Sequence, residues 1–372
     1  MKDVMASIRY RRNIGKMLAP LFSLIPAVSV GILFCMILAP FMDVTPLELI
    51  GTIWKGAWGS RDAAATSITK ATPLLLTGLA VGMAYHAGLL NIGCEGQLTL
   101  GALAAASVAV AAPQLPPILL VPLTVLTGAL AGGLWALLPV LLRQYRGVHE
   151  VVSTLLMNYV AIYFADYLVL GPLGDGSAMG RTPAIPAGAV WPPLWSFGAS
   201  GVSAAPLVAL ALSLLAALWL SGTLWGYEVT AVGAGTAAAR AAGIPVERWR
   251  RRIFVLSGAL AGLAGALEVM TVHHRFYRAF SPGYGFDGIT VAFLVGNAPG
   301  WLWLSALLPA SLRAADKLLQ LELNISPSIV LVLQAVLLLS ATCQARLISW
   351  LKQLISSIFT RKADIEQHPR TN

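Results

Sequence analysis

The sequence predicts an all-α integral membrane protein, and three observations support this fold class. Of its 372 residues, 57% are hydrophobic and 11% are charged, with a mean hydropathy of +0.76, whereas a soluble globular chain has about 25% charged residues. The apolar residues form long runs rich in Leu, Ala, Val and Gly, and about 20 such residues are what a transmembrane helix needs. The runs do not alternate between polar and apolar residues as the strands of an outer-membrane barrel do.

The apolar runs place the transmembrane helices. Two regions are interrupted, 70–112 by His86 to Gln97 and 287–312 by Gly296 to Gly300, and we interpret each as two crossings. The uninterrupted candidates are 18–41, 118–142, 151–170, 206–226, 253–272 and 326–345. Together these regions predict about ten transmembrane helices. The first run is too long for the apolar core of a cleaved signal peptide, so we expect it to be retained as a span.

The distribution of Lys and Arg sets the orientation, because cytoplasmic loops retain positive charge. With the N-terminus inside, 17 of the 25 basic residues fall in cytoplasmic segments. These segments are the N-terminus (1–17), a short loop (143–150), a long loop (227–252) and the tail (346–372). Both termini are therefore predicted to be cytoplasmic, flanking a transmembrane domain of residues 18–345. The net charge of +9 reflects this bias and does not call for a nucleic-acid partner.

The external segments hold the remaining basic residues, among them Lys55, Arg61, Arg181 and Arg313. The longest external segment, 171–205, is rich in Gly, Pro and Trp. Its prolines disfavour a helix, and its tryptophans suit either the membrane–water interface or a partner outside the cell.

Two polar motifs lie at the interruptions. GCEGQLTLGA from Gly93 and GFDGITVAFL from Gly285 share the pattern Gly-x-acid-Gly, followed by a threonine and an apolar helix start. On the predicted topology they open helices of opposite direction at matching positions of two halves, which indicates an inverted repeat and points to a transport path. Together with Asn158 from a neighbouring polar stripe, the candidate pathway and hinge residues are Asn91, Gly93, Glu95, Gly96, Gln97, Thr99, Asn158, Phe286, Asp287 and Gly288.

Each polar group has two interpretations. Glu95 and Asp287 lie in first helical turns, where an acid stabilises its own helix, but an ionisable residue at membrane depth is also a functional candidate. We favour the structural role for both acids. Asn91 and Gln97 could bond across helices or face a solute, and they are better candidates for solute contact than Glu95. For Asn158 we favour an interhelical hydrogen bond. Because Ala71 to His86 and Leu98 to Ala112 are each short of a full crossing, the segment between them is expected to dip into the membrane.

Enzymatic and metal-binding functions find little support. Cys35, Cys94 and Cys343 lie in or beside apolar runs without metal spacing, so we interpret them as small buried hydrophobic residues. His273 and His274 have no carboxylate three or four residues further on, which disfavours a zinc site. The sequence holds no Ser-His-Asp ordering, HExxH or GxxxxGK[ST] motif. We therefore predict no catalytic residues, no metal and no cofactor bound by this chain.

The long cytoplasmic loop is built from small residues. It holds a short Ala-rich helix, Thr236 to Ala242, which Gly243 and Pro245 terminate, and then a basic run from Arg248. Small side chains allow the backbone of another protein to approach closely, while the basic run is typical of a juxtamembrane anchor.

Five stretches in order resemble the permease subunits of bacterial ABC importers for branched-chain amino acids, ribose and nucleosides. They are GLLNIGCEGQLTLGA, VHEVVSTLLMNYVA, AAARAAGI, SGALAGLAGALEV and SPGYGFDGITVAFLVGNAPG, between about Leu74 and Ala341. NIGCEGQ with EVVSTLLMNY is most similar to the nucleoside or simple-sugar branch, the kind paired with a lipid-anchored binding lipoprotein. The chain departs from the usual pattern at Gly235 and Thr236, where relatives often have Asn-Pro, at His149, where Asn is frequent, and at Cys94, where Ala is frequent.

The resemblance implies a permease of roughly ten helices in the bacterial cytoplasmic membrane, working as one of two permease subunits. It implies three partners: a second permease, an external binding lipoprotein that delivers solute, and a separate ATPase subunit that binds ATP and Mg. The ATPase would dock on the long cytoplasmic loop, with contacts at Gly233, Gly235, Ala238, Ala239, Arg240 and Gly243.

Three functions are compatible with the residues. The first is a permease subunit of an ATP-driven importer for a nucleoside or related sugar-type solute. The alternative is an ion-coupled secondary transporter of a small polar solute, which would use Glu95 and Asp287. The third, a membrane enzyme, lacks a convergent catalytic set.

Overall fold

The computed structural model describes residues 24–197, 200–326 and 328–340. The predicted cytoplasmic N-terminus (1–17), the tail (346–372) and Cys343 lie outside these residues. The chain is mostly helical, with one short β-hairpin. The helices are α1 (Leu24–Met42), α2 (Pro46–Trp58), α3 (Arg61–His86), α4 (Cys94–Ala111), α5 (Pro117–Arg146), α6 (Glu150–Leu170), α7 (Ala205–Gly222), α8 (Leu224–Ala234), α9 (Thr236–Ala241), α10 (Val246–Glu268, continued by a π-helical turn Val269–His273), α11 (Tyr284–Leu294), α12 (Leu302–Leu323) and α13 (Ser328–Ser340).

In the described ranges, seven helices are long and apolar enough to cross a membrane, namely α1, α3, α4, α5, α6, α7 and α10 with its π turn. α11 and α12 are bent by 107° at a short break and together could supply an eighth. With 11 residues, α11 is too short to cross by itself. The described part of α13 has 13 residues, so the predicted count of about ten crossings stays a prediction.

The helices around the first interruption are longer than predicted. α3 has 26 residues from Arg61 to His86, about 39 Å, because the Ser60 hydroxyl accepts from the Ala63 amide (3.1 Å) and starts the helix early. Arg61 is therefore helical. α4 starts at Cys94 instead of Leu98 and has 18 residues. The prediction that both flanking helices fall short of a full crossing is therefore wrong. The position of the segment between them follows from its contacts with α10 and not from helix length.

Arg313 is also placed differently. It was assigned to an external segment, but it lies inside α12 and is 9% exposed. The loop 227–252, predicted to be cytoplasmic, is mostly helical, because α8, α9 and the first turns of α10 occupy it. The segment 171–205, predicted to be external, forms a hairpin of β1 (Pro193–Phe197) and β2 (Ser200–Ser203) that follows a single 3₁₀ turn, Ala187–Ala189. The described part of this segment contains no α-helix, as its prolines predict.

Close glycine contacts build the centre of the bundle. A Cβ on Gly101 of α4 would lie 2.4 Å from the Gly262 Cα of α10, and one on Gly132 of α5 would lie 2.3 Å from the Gly258 carbonyl oxygen. Small residues at such crossings let backbones touch, which drives helix packing where hydrophobic burial contributes little. α3 packs against α10, α11 and α12, and its residues from Thr72 to Ala84 are all buried. α3 and α10 therefore form the axis on which the interrupted segments are placed.

Candidate functional site

The segment after α3 turns back into the bundle. The Ser257 hydroxyl of α10 donates to the Ala80 carbonyl (2.6 Å) and accepts from the Asn91 amide (2.9 Å). Asn91 is thus level with Ala80, six residues or about 9 Å before the end of α3. The irregular backbone between α3 and α4 lies at this depth, enclosed by protein as such backbone must be.

The two carboxamides of this segment bind each other. Asn91 Nδ2 donates to Gln97 Oε1 (2.8 Å), and Gln97 Nε2 donates to Asn91 Oδ1 (3.1 Å). Asn91 Oδ1 also accepts from the Gly93 amide (3.0 Å). Both side chains are buried, with exposures of 0% and 1%. In this conformation they tie the turn together across the helices and do not reach a solute.

Glu95 joins the two interrupted segments. Its carboxylate accepts from the Gly285 amide at the start of α11 (2.7 Å), and Ser281 also hydrogen-bonds to it. A Cβ on Gly285 would lie 2.2 Å from the Glu95 amide nitrogen, so the beginnings of α4 and α11 touch. We name this contact the helix junction. Glu95 was expected to stabilise its own helix; instead it binds the N-terminus of the other one. Two helix N-termini bring two partial positive charges together, and the carboxylate between them offsets both.

Asp287 has a different partner. Its carboxylate accepts from Arg313 Nε (2.7 Å) and pairs with Arg313 Nη2 (2.6 Å). Arg313 Nη2 also donates to the Pro282 carbonyl (2.9 Å), and its guanidinium carbon lies 5.2 Å from the centre of the Tyr284 ring. Asp287 is in the first turn of α11, yet its charge is matched by a side chain of α12. Asp287 thus has a structural role, as favoured, but its direct partner is the side chain of Arg313 and not the amides of its own helix.

The junction is held by α3 and α6. Thr77 of α3 donates to the Tyr284 carbonyl (3.0 Å), and a Cβ on Gly288 would lie 2.6 Å from the Thr77 hydroxyl oxygen. From α6, Asn158 Nδ2 donates to the Ile92 carbonyl and its Oδ1 accepts from the Gly96 amide, both at 2.8 Å. Asn158 therefore makes the interhelical hydrogen bond that we favoured.

Two further candidates complete the predicted set. The Thr99 hydroxyl donates to the Glu95 carbonyl one turn earlier (2.8 Å), so Thr99 stabilises the start of α4. Phe286 is 36% exposed and is the most accessible side chain of the two motifs.

α4 and α11 run in opposite directions from the junction. α11 runs parallel to α3, because Gly288 lies beside Thr77 and the Asn297 carbonyl bonds to His86 Nε2 (3.0 Å) at the end of α3. α4 runs parallel to α10 instead, because Asn91 bonds to Ser257 and the Leu98 carbonyl lies beside Gly265. α3 and α10 are antiparallel to each other, since Ala80 bonds to Ser257 and Gly88 lies near Arg250.

Sequence reasoning missed three residues of the junction: Ser257, Thr77 and Arg313. Arg313 carried a usable signal, because it is a charged residue within an apolar run, where a buried partner is the rule. Ser257 and Thr77 carried none, since single hydroxyls are common in membrane helices and bond to backbone carbonyls.

The predicted ATPase-contact residues divide into two groups. α9 ends at Ala241, one residue before the predicted end, and Gly243 follows in the left-handed region with φ +79°. Ala238, Arg240 and Gly243 are exposed, and Arg240 donates to Glu247 of α10 (2.8 Å).

The other three residues of this set serve the chain itself. Ala239 is buried against the bundle. Gly233 is exposed as well, but a Cβ on it would lie 2.3 Å from the His86 carbonyl oxygen, so its backbone packs on the end of α3. Gly235 adopts an extended conformation between α8 and α9.

Within the described residues, no three His, Cys, Asp or Glu side chains are placed to hold a metal ion. His273 instead lies 3.4 Å from Glu268 through Nε2 and contacts the Tyr277 hydroxyl (3.3 Å). Outside the membrane-spanning helices, hydrogen bonds from Ser177 and Arg181 lower the pKa of Asp175 to about 2. This carboxylate organises the external segment after α6.

Interrupted helices that meet inside a helical membrane bundle are typical of transport proteins. The comparison with known proteins defines the class further. Residues 63–342 match the family described as the permease component of branched-chain amino acid transport systems. The chain belongs to this family and is the membrane subunit of an ABC transporter, in which a separate subunit hydrolyses ATP.

Curated relatives extend over most of the chain. It is 34% identical to a glucose ABC transporter permease of Haloferax volcanii over 341 residues, covering 88% of each chain. It is 30% identical to a guanosine ABC transporter permease of Bacillus subtilis, covering 88% of this chain and 93% of the relative. It is 29% identical to a nucleoside ABC transporter permease of Lactococcus lactis subsp. cremoris, covering 79% and 82%.

Proposed function

We propose that this chain is one of two permease subunits of an ATP-driven importer that carries a nucleoside or a related sugar-type solute across the bacterial cytoplasmic membrane. The observation that carries the proposal is the helix junction, where α4 and α11 start against each other through the contact between Glu95 and Gly285. Discontinuous helices that meet at depth are where transporters place their solute path and hinge. The glucose, guanosine and nucleoside relatives support the solute class.

The proposal includes a topology. α4 and α11 start at one point and point in opposite directions, as matching helices of an inverted repeat would. With both termini in the cytoplasm, α9 faces the cytoplasm and the β-hairpin faces outward. Residues 18–345 then form the permease domain, with about ten crossings once the regions outside the described residues are included.

The partners follow from this topology. We place the ATPase subunit on the exposed face of α9, which includes Ala238 and Arg240, and ATP and Mg on that subunit. Gly233 and Ala239 connect this face to the bundle, because Gly233 packs on the end of α3 and Ala239 is buried. Closure of the ATPase would thus be transmitted to α3, on which the helix junction rests. An external binding lipoprotein delivers the solute, and this chain binds no cofactor of its own.

ATP-driven uptake in proteoliposomes tests the proposal. The complete transporter, with its ATPase and binding protein, is given radiolabelled guanosine, glucose or leucine. Ala238→Trp places a large side chain on the exposed face of α9, and Ala111→Trp is the matched control at the exposed end of α4. We expect guanosine or glucose uptake to depend on ATP and to fall at least tenfold in Ala238→Trp alone. Unchanged uptake in this variant would contradict the docking surface.

The secondary-transporter alternative predicts a different result. Glu95 and Asp287 are already engaged by Gly285 and Arg313, which leaves little room for a coupling ion. Uptake driven by a proton gradient in vesicles without ATP would support that alternative and would overturn the importer.

A further inference from the structure

A polar cavity lies between α3 and the end of α10, next to the helix junction. Its volume is about 330 Å³, at the lower end of the roughly 300–1,000 Å³ typical of small-molecule sites. Gly201 of the β-hairpin lines it on one side, and Tyr284, the first residue of α11, lines it on another. Lys70 is seven residues from Thr77 along α3, or about 10 Å. The cavity therefore lies directly beyond the helix junction, on the side of the β-hairpin.

Two opposite charges face this cavity. Lys70 of α3 and Glu268 of α10 both line it. Among the described residues, no carboxylate oxygen lies within 4.0 Å of the Lys70 ammonium, and no hydrogen bond of this ammonium is formed there. Glu268 is 5% exposed, and His273 Nε2 lies 3.4 Å from its carboxylate. A charged side chain at this depth is costly and needs a partner, and the cavity leaves the ammonium open to one.

The helix is irregular at this place. α10 passes into a π-helical turn at Val269–His273, immediately after Glu268, and the turn ends at His274 in the left-handed region with φ +54°. Single π turns inside helices occur frequently at functional sites. Here the turn brings Thr271 and His273 to the cavity wall beside Glu268, opposite Thr69 and Lys70 of α3.

We propose that this cavity is a solute subsite that binds the hydroxylated ring of a neutral sugar or nucleoside on its way to the helix junction. One positive and one negative group balance each other, so the site favours a solute without net charge. Sugar hydroxyls both donate and accept hydrogen bonds: the Glu268 carboxylate accepts from them, the Lys70 ammonium donates to them, and the Thr271 hydroxyl, whose proton goes to the Leu267 carbonyl, accepts from them. A zwitterionic amino acid also has no net charge, so the leucine probe in the test separates it from a sugar. The inference deepens the proposed function and rests on it for the solute class.

Direct binding to the purified transporter, without its binding protein, tests the subsite. The probes are radiolabelled guanosine, glucose and leucine, measured by scintillation proximity. We expect Glu268→Gln and Lys70→Met to weaken guanosine or glucose binding at least tenfold and Thr271→Val to weaken it about threefold or more, with no displacement by leucine. Wild-type binding in these variants, or displacement by leucine alone, would overturn the subsite.

Matched controls separate binding from folding. The Thr271 hydroxyl donates to the Leu267 carbonyl (2.7 Å) and the Thr124 hydroxyl donates to the Leu120 carbonyl (2.8 Å) in the same way, but Thr124 is on α5, outside the cavity. Thr124→Val should bind solute as the wild type does, and so should Lys55→Met, at an exposed position of α2. A variant that lowers the melting temperature of the complex is left out, and the comparison of Thr271→Val with Thr124→Val then decides, because both remove one hydroxyl that donates within its own helix.

The outcomes distinguish the two proposals. If the wild type shows ATP-driven uptake and the variants bind solute normally, the subsite is refuted and the importer is supported. Absence of ATP-driven uptake for every probe removes the importer, while loss of binding in the variants alone still supports the subsite.

Discussion

The two Gly-x-acid-Gly motifs look alike in the sequence but are stabilised in different ways. In GCEG, the carboxylate of Glu95 is balanced by a backbone amide, that of Gly285 in the other motif. In GFDG, the carboxylate of Asp287 is balanced by a full charge, Arg313 of α12. The first acid is held by hydrogen bonds from the Gly285 amide and from Ser281, neither of which carries a charge. The second is a buried ion pair that joins α11 to α12. We therefore expect the contact at Glu95 to be released more easily than the contact at Asp287.

The largest effect is expected from Arg313→Met. The substitution leaves Asp287 buried without its partner, which typically costs about 3–5 kcal/mol. The free energy of unfolding in detergent, from denaturant titration of the complex, measures it. Lys55→Met is the control, because the Lys55–Glu322 pair is exposed and such pairs contribute about 1 kcal/mol or less. Equal losses in the two variants would show that Arg313 and Asp287 are not a buried pair.

Gly285→Ala comes next, with an expected loss of about 3 kcal/mol. Its Cβ would lie 2.2 Å from the Glu95 amide nitrogen and 2.4 Å from the Glu95 Cα, and overpacking against backbone cannot be relieved by a side-chain rotation. The melting temperature and solute uptake should both fall. Gly51→Ala in α2 has no atom within 4 Å of its Cβ and should stabilise the protein by about 0.5–1 kcal/mol. If Gly285→Ala left the melting temperature and solute uptake unchanged, the starts of α4 and α11 would not be in close contact.

A pair of isosteric changes tests the comparison itself. Glu95→Gln retains an oxygen that accepts from Gly285 and should cost about 1 kcal/mol, the difference between a charged and a neutral acceptor. Asp287→Asn leaves the buried Arg313 charge unmatched and should cost about 3 kcal/mol. Denaturant midpoints of the two variants measure the ratio. If Glu95→Gln were the more damaging of the two, Glu95 and not Asp287 would be the fixed point.

The smallest effect is expected for Asp175, a carboxylate outside the membrane-spanning helices. Hydrogen bonds from Ser177 and Arg181 hold the pKa of Asp175 at about 2, below the usual value near 3.9. A depressed pKa stabilises the folded loop fully above the unfolded value, and this stabilisation is lost as the pH falls toward 2. Proteolysis of the external segment should therefore be unchanged between pH 7 and pH 5 and should increase below about pH 3. In Asp175→Asn the cleavage rate should be higher at neutral pH and should not change as Asp175 would titrate. A transition of the wild type near pH 5 would contradict the lowered pKa of Asp175.

Much of the fold could be predicted from the sequence, because long apolar runs are a local property. The runs predicted α5, α6 and α7 to within a few residues, and Gly243 with Pro245 predicted the end of α9 to within one. The helix boundaries around the junction were less predictable: a Ser60 cap extends α3 through a polar stretch that hydropathy assigns to a loop. Arg313 was assigned outside because it follows the predicted crossings of 287–312, whereas in the structure it lies inside α12 and pairs with Asp287.

The sequence by itself determined that this protein is a helical membrane protein with two glycine-flanked acids near interruptions of its apolar runs. Its motifs indicated the permease family. Composition and spacing suffice for this, since they decide which segments can enter a bilayer. Only the tertiary structure decided which group each acid meets. Glu95 reaches the start of α11, Asp287 reaches Arg313, and Asn91 with Gln97 bind each other. Partners separated by up to 190 residues are brought together by helix packing, and no local pattern contains that information.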